Sequence, residues 1–241
     1  MDYLLKGAKM KVKMKLTKSM PETHDTHTLR FESAERPDFK PGQFFMIEFM
    51  RTEKIPKRSY SVASSPTKKG ILELTVKQMP DGWISKLLNE AKPGEEFMLD
   101  GPWGHFIFDP AKMQNIILLS AGSGIAPFRG FCQFIIDNKL STKVTLVYSN
   151  KTEEDIICKQ DLVEFAKQIR GMELILTLSR EQKEGYRSGR IDDAAIKDII
   201  SRRGADAYYF ICGPPVMVAD TEKLLLENGI LKERIKTEKY G

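Results

Sequence analysis

The 241-residue sequence predicts a two-domain β + α/β protein, an N-terminal antiparallel β-barrel followed by a parallel sheet with helices on both faces. Three observations predict it. The length suits two domains of ordinary size. Up to about residue 108, short β-rich runs are punctuated by Pro and Gly turns, with one helical stretch among them. Beyond Asp109-Pro110, continuous apolar runs alternate with helical stretches, the pattern of βαβ units. The division is placed at residues 1–108 and 109–241.

The first segment to show a strand pattern is Lys11–Leu16, where Lys11, Lys13 and Lys15 alternate with Val12, Met14 and Leu16. Period-2 alternation means one buried face and one in water. The lysines read in two ways, as protection of an edge strand or as a positive surface for an acidic protein. Thr26–Phe31, Gln43–Met50, Arg58–Ala63, Ile71–Lys77 and Glu95–Leu99 follow as strands. Arg36-Pro37-Asp38, Lys40-Pro41-Gly42, Ser65-Pro66 and Lys92-Pro93-Gly94 separate them as turns. Trp83–Glu90 is the helical exception, because Trp83, Leu87 and Leu88 recur at helical spacing. This many short strands suggests a closed or nearly closed barrel.

In the second half, Ile116–Leu119 is apolar throughout, as a strand buried on both faces requires. A helix over Ile125–Ile136 follows, then the strand Val144–Tyr148, a helix over Leu162–Ile169 and the strand Leu174–Leu178. The order continues with a helix over Ala194–Ile200, the strand Tyr208–Cys212, a helix over Val216–Glu227 and a last strand near Ile235–Tyr240.

Composition excludes several classes. The chain is 41% hydrophobic and 29% charged, which supports packed cores and argues against disorder. No apolar run reaches the ~18 residues of a membrane span, and lysines interrupt Met1–Lys15, so no signal peptide is expected there. A cytoplasmic location is therefore expected. Three cysteines are too few for a disulfide scaffold or for an iron–sulfur centre held by four cysteines of this chain. His24, His27 and His105 have no partners at zinc-like spacing. The net charge of +5 is mild for a nucleic-acid binder. Most of the surplus lies in residues 1–108, with 18 Lys/Arg against 14 Asp/Glu.

Chemistry concentrates where strands of the second half end. Gly122-Ser123-Gly124 opens the helix after Ile116–Leu119, and glycines there let backbone amides approach a pyrophosphate at a helix N-terminus. A tight structural turn is the alternative. Pro127 stands where the usual dinucleotide fingerprint has Gly or Ala, and Tyr148-Ser149-Asn150 replaces a ribose-binding acid. Ser179-Arg180-Glu181 follows the strand Leu174–Leu178, and an arginine fork there suits a 2′-phosphate. Tyr186, Arg187 and Arg190 add a stacking surface and charge, whereas a solvated loop cation is the plainer account of Arg180. Cys212-Gly213-Pro214-Pro215 lies at the same edge, so Cys212 is a site candidate as well as a small buried residue. Cys132 and Cys158 read as structural.

Taken in order, these motifs resemble the ferredoxin–NADP⁺ reductase-like flavoprotein superfamily over essentially the whole chain. Arg58-Ser59-Tyr60-Ser61 resembles its Arg-x-Tyr-Ser flavin motif, preceded by Pro41-Gly42-Gln43-Phe44. Gly82-Trp83-Ile84-Ser85 looks like the start of its short phosphate-binding helix. Gly101-Pro102-Trp103-Gly104, Gly122–Pro127 and Cys212–Pro215 fit further segments of that family.

The resemblance implies an FAD-binding barrel, an NAD(P)-binding second domain and an FAD-dependent NAD(P)H oxidoreductase. FAD is preferred to FMN. Ser179-Arg180-Glu181-Gln182 favours NADP(H) over NAD(H). It further implies that Arg58 neutralises the flavin pyrophosphate, that Ser85 and the helix amides cradle it, and that Tyr60 packs on the isoalloxazine. Ser61 would bond near flavin N5, with Cys212 near the nicotinamide. Glu238-Lys239-Tyr240-Gly241 resembles the family's terminal Glu-x-Tyr, with Tyr240 stacking on the flavin and Glu238 near the redox centre. The extra Gly241 leaves a frayed tail as the alternative. The implied partner is an acidic acceptor such as ferredoxin or flavodoxin. Alternatives are a reductase component of a multicomponent oxygenase or larger complex, and a non-enzymatic nucleotide-binding module.

Overall fold

A computed structural model describes residues 10–35, 38–50 and 56–240. Arg36 and Pro37 of one expected turn, Gly241 and residues 1–9 of the leading segment lie outside the described residues. The chain divides into two compact units, Met1–Ile107 and Phe108–Gly241.

Among the described residues the first unit is a six-stranded antiparallel sheet with one helix. Its strands are β1 (Met10–Thr23), β2 (Thr26–Glu32), β3 (Phe44–Phe49), β4 (Arg58–Ser61), β5 (Ile71–Lys77) and β6 (Glu96–Trp103), and its helix is α1 (Trp83–Asn89). The order is β4-β3-β6-β1-β2-β5. An isolated bridge from Val62, just past β4, to Leu74 of β5 brings the two outer strands together, so the barrel is nearly closed. Inward residues such as Met14, Leu29, Phe45, Leu74 and Leu99 fill it, with Phe97 edge-on to Phe31 at 5.4 Å. The helix covers this core with Ile84 and Leu88.

One expectation is corrected here. β1 is an interior strand, not an edge. It pairs with β6 over Met10–Lys15 and with β2 over Lys15–Thr23, changing partner where a register shift falls between Leu16 and Lys18. The alternation itself holds: Val12, Met14 and Leu16 are buried, and the three lysines are exposed. Lys11 faces Asp100 across the ladder and Lys15 faces Glu96, while Lys13 reaches Glu96 at 3.3 Å. Carboxylates from β6 thus offset the lysines on a mixed-sign surface.

β6 also runs on to Trp103, past the expected end at Leu99. Gly and Pro disguise that stretch as a turn, yet the glycine suits the strand. A Cβ on Gly101 would lie 2.6 Å from the Phe45 ring, so only a bare backbone fits there.

The second unit is a wholly parallel sheet of β7 (Asn115–Ala121), β8 (Lys143–Asn150), β9 (Glu173–Leu178), β10 (Arg187–Ser188), β11 (Tyr208–Gly213) and β12 (Ile235–Lys239). Its order is β10-β9-β8-β7-β11-β12. Helices α2 (Ala126–Asp137), α3 (Lys159–Gln168), α4 (Asp193–Arg203) and α5 (Pro215–Glu227) connect the strands. Ile117, Leu119, Tyr209 and Ile211 pack with Ile196, Ile199, Val218 and Leu225 of α4 and α5 on one face. Phe210, on the alternate side of β11, meets Phe131 of α2 at 5.2 Å on the other. The two-residue β10 is unforeseen, being too short for any periodicity. Among the described residues no helix is long and apolar enough to cross a membrane.

Candidate functional site

In the barrel the candidates sit on β4 and at the start of α1. Arg58 and Ser59 are exposed, Tyr60 is half-buried against the core and Ser61 is buried. Burial pushes the Tyr60 phenol up to about 12, so it stays neutral and presents a flat ring. The Arg58 guanidinium donates to the Lys57 carbonyl at 3.0 Å and pairs with no carboxylate among the described residues.

The turn before α1 is tightly built. A Cβ on Gly82 would stand 2.7 Å from both the Met79 Cβ and the Ser85 Oγ. Ser85 accepts from the Met79 amide at 3.0 Å and donates to the Gly82 carbonyl at 2.7 Å. Its hydroxyl fastens the turn to the helix. Ile84 is buried, while Trp83 is exposed. Of this segment, then, Trp83 is the side chain that faces outward.

In the second unit, sheet order reverses between β7 and β11, whose carboxyl ends therefore flank a topological switch point where open α/β sheets take ligands. The 3₁₀ turn Gly122–Ile125 bridges β7 to α2 there. Gly122 has φ +55°, a left-handed value that suits glycine. A Cβ on Gly124 would fall 2.1 Å from the Cys212 carbonyl oxygen, so this glycine lets the turn press against β11. Pro127 is buried in the first turn of α2, where its missing N–H costs no helical bond. Tyr148, which stands where an acid was sought, donates its hydroxyl to the Gly122 carbonyl at 2.8 Å. It holds the glycine turn from below, a role no local motif signals.

Cys212, Glu238 and Tyr240 come together. Cys212 and Glu238 are ladder neighbours on β11 and β12. The Tyr240 amide donates to the Gly213 carbonyl at 3.0 Å and its hydroxyl to Glu238 at 3.2 Å. Burial, and then the Glu238 charge, push the Cys212 thiol well up, against a lowering hydrogen bond with Tyr240. Cys212 is therefore a neutral thiol with no exposed surface. Pro214 caps α5 beside it. Ser61, the fourth catalytic candidate, belongs to the other unit.

The third cluster lies beyond β8 and β9. Ser179 donates its amide and hydroxyl to the Asn150 carbonyl, and the Arg180 amide donates to Lys151. These bonds join the two loops. The exposed Arg180 guanidinium has no partner among the described residues. Arg187 reaches Asp192 at 3.4 Å. Tyr186 donates its hydroxyl to Glu153 at 2.6 Å. Glu153 also accepts from Lys159 and Lys183, and these three donors hold its carboxyl down to about 2. Sequence reading missed Glu153, Lys159 and Lys183, since no local spacing ties residue 153 to residue 183.

Family models agree with this division of labour. One for the oxidoreductase FAD-binding domain matches residues 13–108, and one for the oxidoreductase NAD-binding domain matches residues 118–223. The crystal structure of a ferredoxin NADP⁺ reductase from Neisseria gonorrhoeae, with bound FAD and NADP, aligns over 95% of this chain and 98% of that one, with TM-score 0.82 and 25% identity.

The chain belongs to the ferredoxin–NADP⁺ reductase-like flavoprotein superfamily.

Three further proteins are similar to this chain. Amycolatopsis cytochrome P450 reductase GcoB aligns over 97% of this chain and 70% of its own, with TM-score 0.87 and 25% identity. The reductase component of propane 2-monooxygenase from Rhodococcus jostii (strain RHA1) is 28% identical over 99% of this chain and 66% of its own length. The glycine betaine monooxygenase reductase subunit of Chromohalobacter salexigens is 27% identical over 95% of this chain. The chain spans 64% of that last relative, so about two thirds of each.

Proposed function

We propose that this flavoprotein is an FAD-dependent NAD(P)H oxidoreductase that passes electrons to a separate acceptor. The observation that carries it is the coexistence, in one chain, of the Arg58–Ser61 flavin strand and a Cys212–Glu238–Tyr240 network at the switch point of a dinucleotide sheet. When bound, FAD supplies the hydride-accepting and electron-releasing chemistry.

The residues have distinct tasks. Arg58 would place its charge beside the flavin pyrophosphate, and the α1 amides would add donors to it. Tyr60 would offer its neutral ring to the isoalloxazine, and Ser61 would present its hydroxyl to the flavin. Gly122 and Gly124 admit the nucleotide backbone to the start of α2. Cys212 stays protonated, giving the nicotinamide an uncharged neighbour, and Glu238 holds the Tyr240 hydroxyl. Cys212 has no exposed surface, and Tyr240, whose hydroxyl bonds Glu238, stands beside it.

NADPH is the favoured donor on the strength of Arg180, Lys159, Lys183 and Tyr186 at the ends of β8 and β9. An acidic ferredoxin or flavodoxin is the favoured acceptor. Two relatives, the propane and glycine betaine monooxygenase reductases, favour a second reading in which the acceptor is an oxygenase component. The test is direct. Purified with FAD, the protein should be yellow, bleach under anaerobic NADPH, and reduce ferricyanide catalytically. A colourless protein that takes up no flavin overturns the proposal.

A further inference from the structure

The cluster beyond β8 and β9 already contains an anion. Lys159 comes from the first turn of α3, whereas Lys183 and Tyr186 come from the loop after β9, and all three donate to one carboxylate, that of Glu153. The Lys159 ammonium also stands 5.6 Å from the centre of the Tyr186 ring. Three donors from two separate elements converging on one acidic group is the coordination that a phosphate asks for. The backbone that carries the carboxylate is held in place. Glu153 opens a 3₁₀ turn that Thr152 and Asp155 close with reciprocal bonds, and its amide donates to Glu181 at 2.8 Å. Its side chain is one-quarter exposed, which leaves it a path outward.

We propose that Glu153 is a specificity-determining residue, an internal carboxylate that occupies the 2′-phosphate position of the nucleotide site and competes with NADPH for Lys159, Lys183 and Tyr186. The proposal rests on the reading of this edge as a nicotinamide-nucleotide site. A 2′-phosphate gains these donors only by turning Glu153 out, and it then meets the displaced charge close by. NADH brings no phosphate and leaves the cluster closed. Glu153 therefore narrows a preference for NADPH that Arg180 and the lysines would otherwise set higher. A role in stability alone explains the cluster poorly, since exposed ion pairs contribute little to folding.

The test is binding of 2′,5′-ADP and 5′-AMP to the full-length, FAD-loaded protein by calorimetry, comparing wild type with Glu153→Gln. The amide keeps the shape, removes the charge and still accepts a hydrogen bond. Binding of 2′,5′-ADP should tighten by about tenfold or more, while 5′-AMP binding stays within about twofold. A variant with unchanged or weaker 2′,5′-ADP binding overturns the proposal. So does weaker 5′-AMP binding, which would make Glu153 a ribose acceptor instead. Lys183→Met in the Glu153→Gln background should reverse the gain, and its failure to do so would place the effect outside this cluster. If wild type binds neither nucleotide, the nucleotide-site reading falls and this inference with it, whereas nucleotide binding unaltered by the substitution defeats the inference alone.

Discussion

Arg180 and Glu153 are neighbours in task but opposite in state. The arginine is exposed and without a partner among the described residues, while the carboxylate is saturated with donors. Arg180→Ala should accordingly raise KM for NADPH by about tenfold, the worth of a charge-assisted hydrogen bond, and leave KM for NADH nearly unchanged. Steady-state kinetics with both donors checks this, and equal effects would remove Arg180 from phosphate recognition. The cysteines make a second residue-scale case. Burial raises Cys132 to about 12 and Cys212 well above its ordinary value. Both thiols should resist iodoacetamide at pH 8 in the native protein and react once it is unfolded, as mass spectrometry of labelled peptides would read. Each folded pKa lies above the unfolded one. The stability linked to them is thus complete below the unfolded thiol value and declines as pH rises towards the folded one.

At the scale of elements, the glycine turn is the most constrained junction. Gly124→Ala would drive a methyl into the Cys212 carbonyl, pushing the Gly122–Ile125 turn off β11. Nucleotide affinity should fall at least about tenfold with FAD content unchanged, as measured by nucleotide titration and the flavin absorbance ratio. A variant with normal nucleotide affinity would mean that the turn is not the binding element. This junction was half-legible in the sequence. Two glycines after an apolar strand signal the turn, because backbone geometry is local. The Tyr148 hydroxyl that holds it comes from another strand, and only the folded sheet brings them together. The same distinction runs through the molecule. Alternating and continuous apolar runs disclosed both sheets and each α-helix, since burial imprints a period on the chain. The extension of β6 through Gly101 and Pro102 was hidden, because the Phe45 ring that demands the glycine lies more than fifty residues earlier. So was the donor cage around Glu153, assembled from α3 and the loop after β9.

For the molecule as a whole, the electron acceptor is the open choice, and charge decides how it can be approached. The net +5 belongs mostly to residues 1–108, yet Lys11, Lys13 and Lys15 face Asp100 and Glu96 on β6. These lysines therefore supply less field than their number suggests. Reduction of an acidic ferredoxin or flavodoxin should still slow as ionic strength rises, because opposite net charges speed encounter. Stopped-flow rates from low to physiological salt would show it, and a rate indifferent to salt would direct attention to an acceptor met through apolar contact.

The change of partner within β1 has a consequence for synthesis. Met10 pairs with Gly101 and Lys15 with Glu96, so the first half of this strand waits for some eighty to ninety further residues before its ladder exists. Contacts so distant along the chain form late, after a large loop has been closed. On the ribosome the segment emerges well before β6, with Val12, Met14 and Leu16 uncovered. An uncharged strand in that position would invite aggregation with other nascent chains. Three lysines spaced one residue apart repel such company until β6 arrives, and Asp100 and Glu96 then receive them.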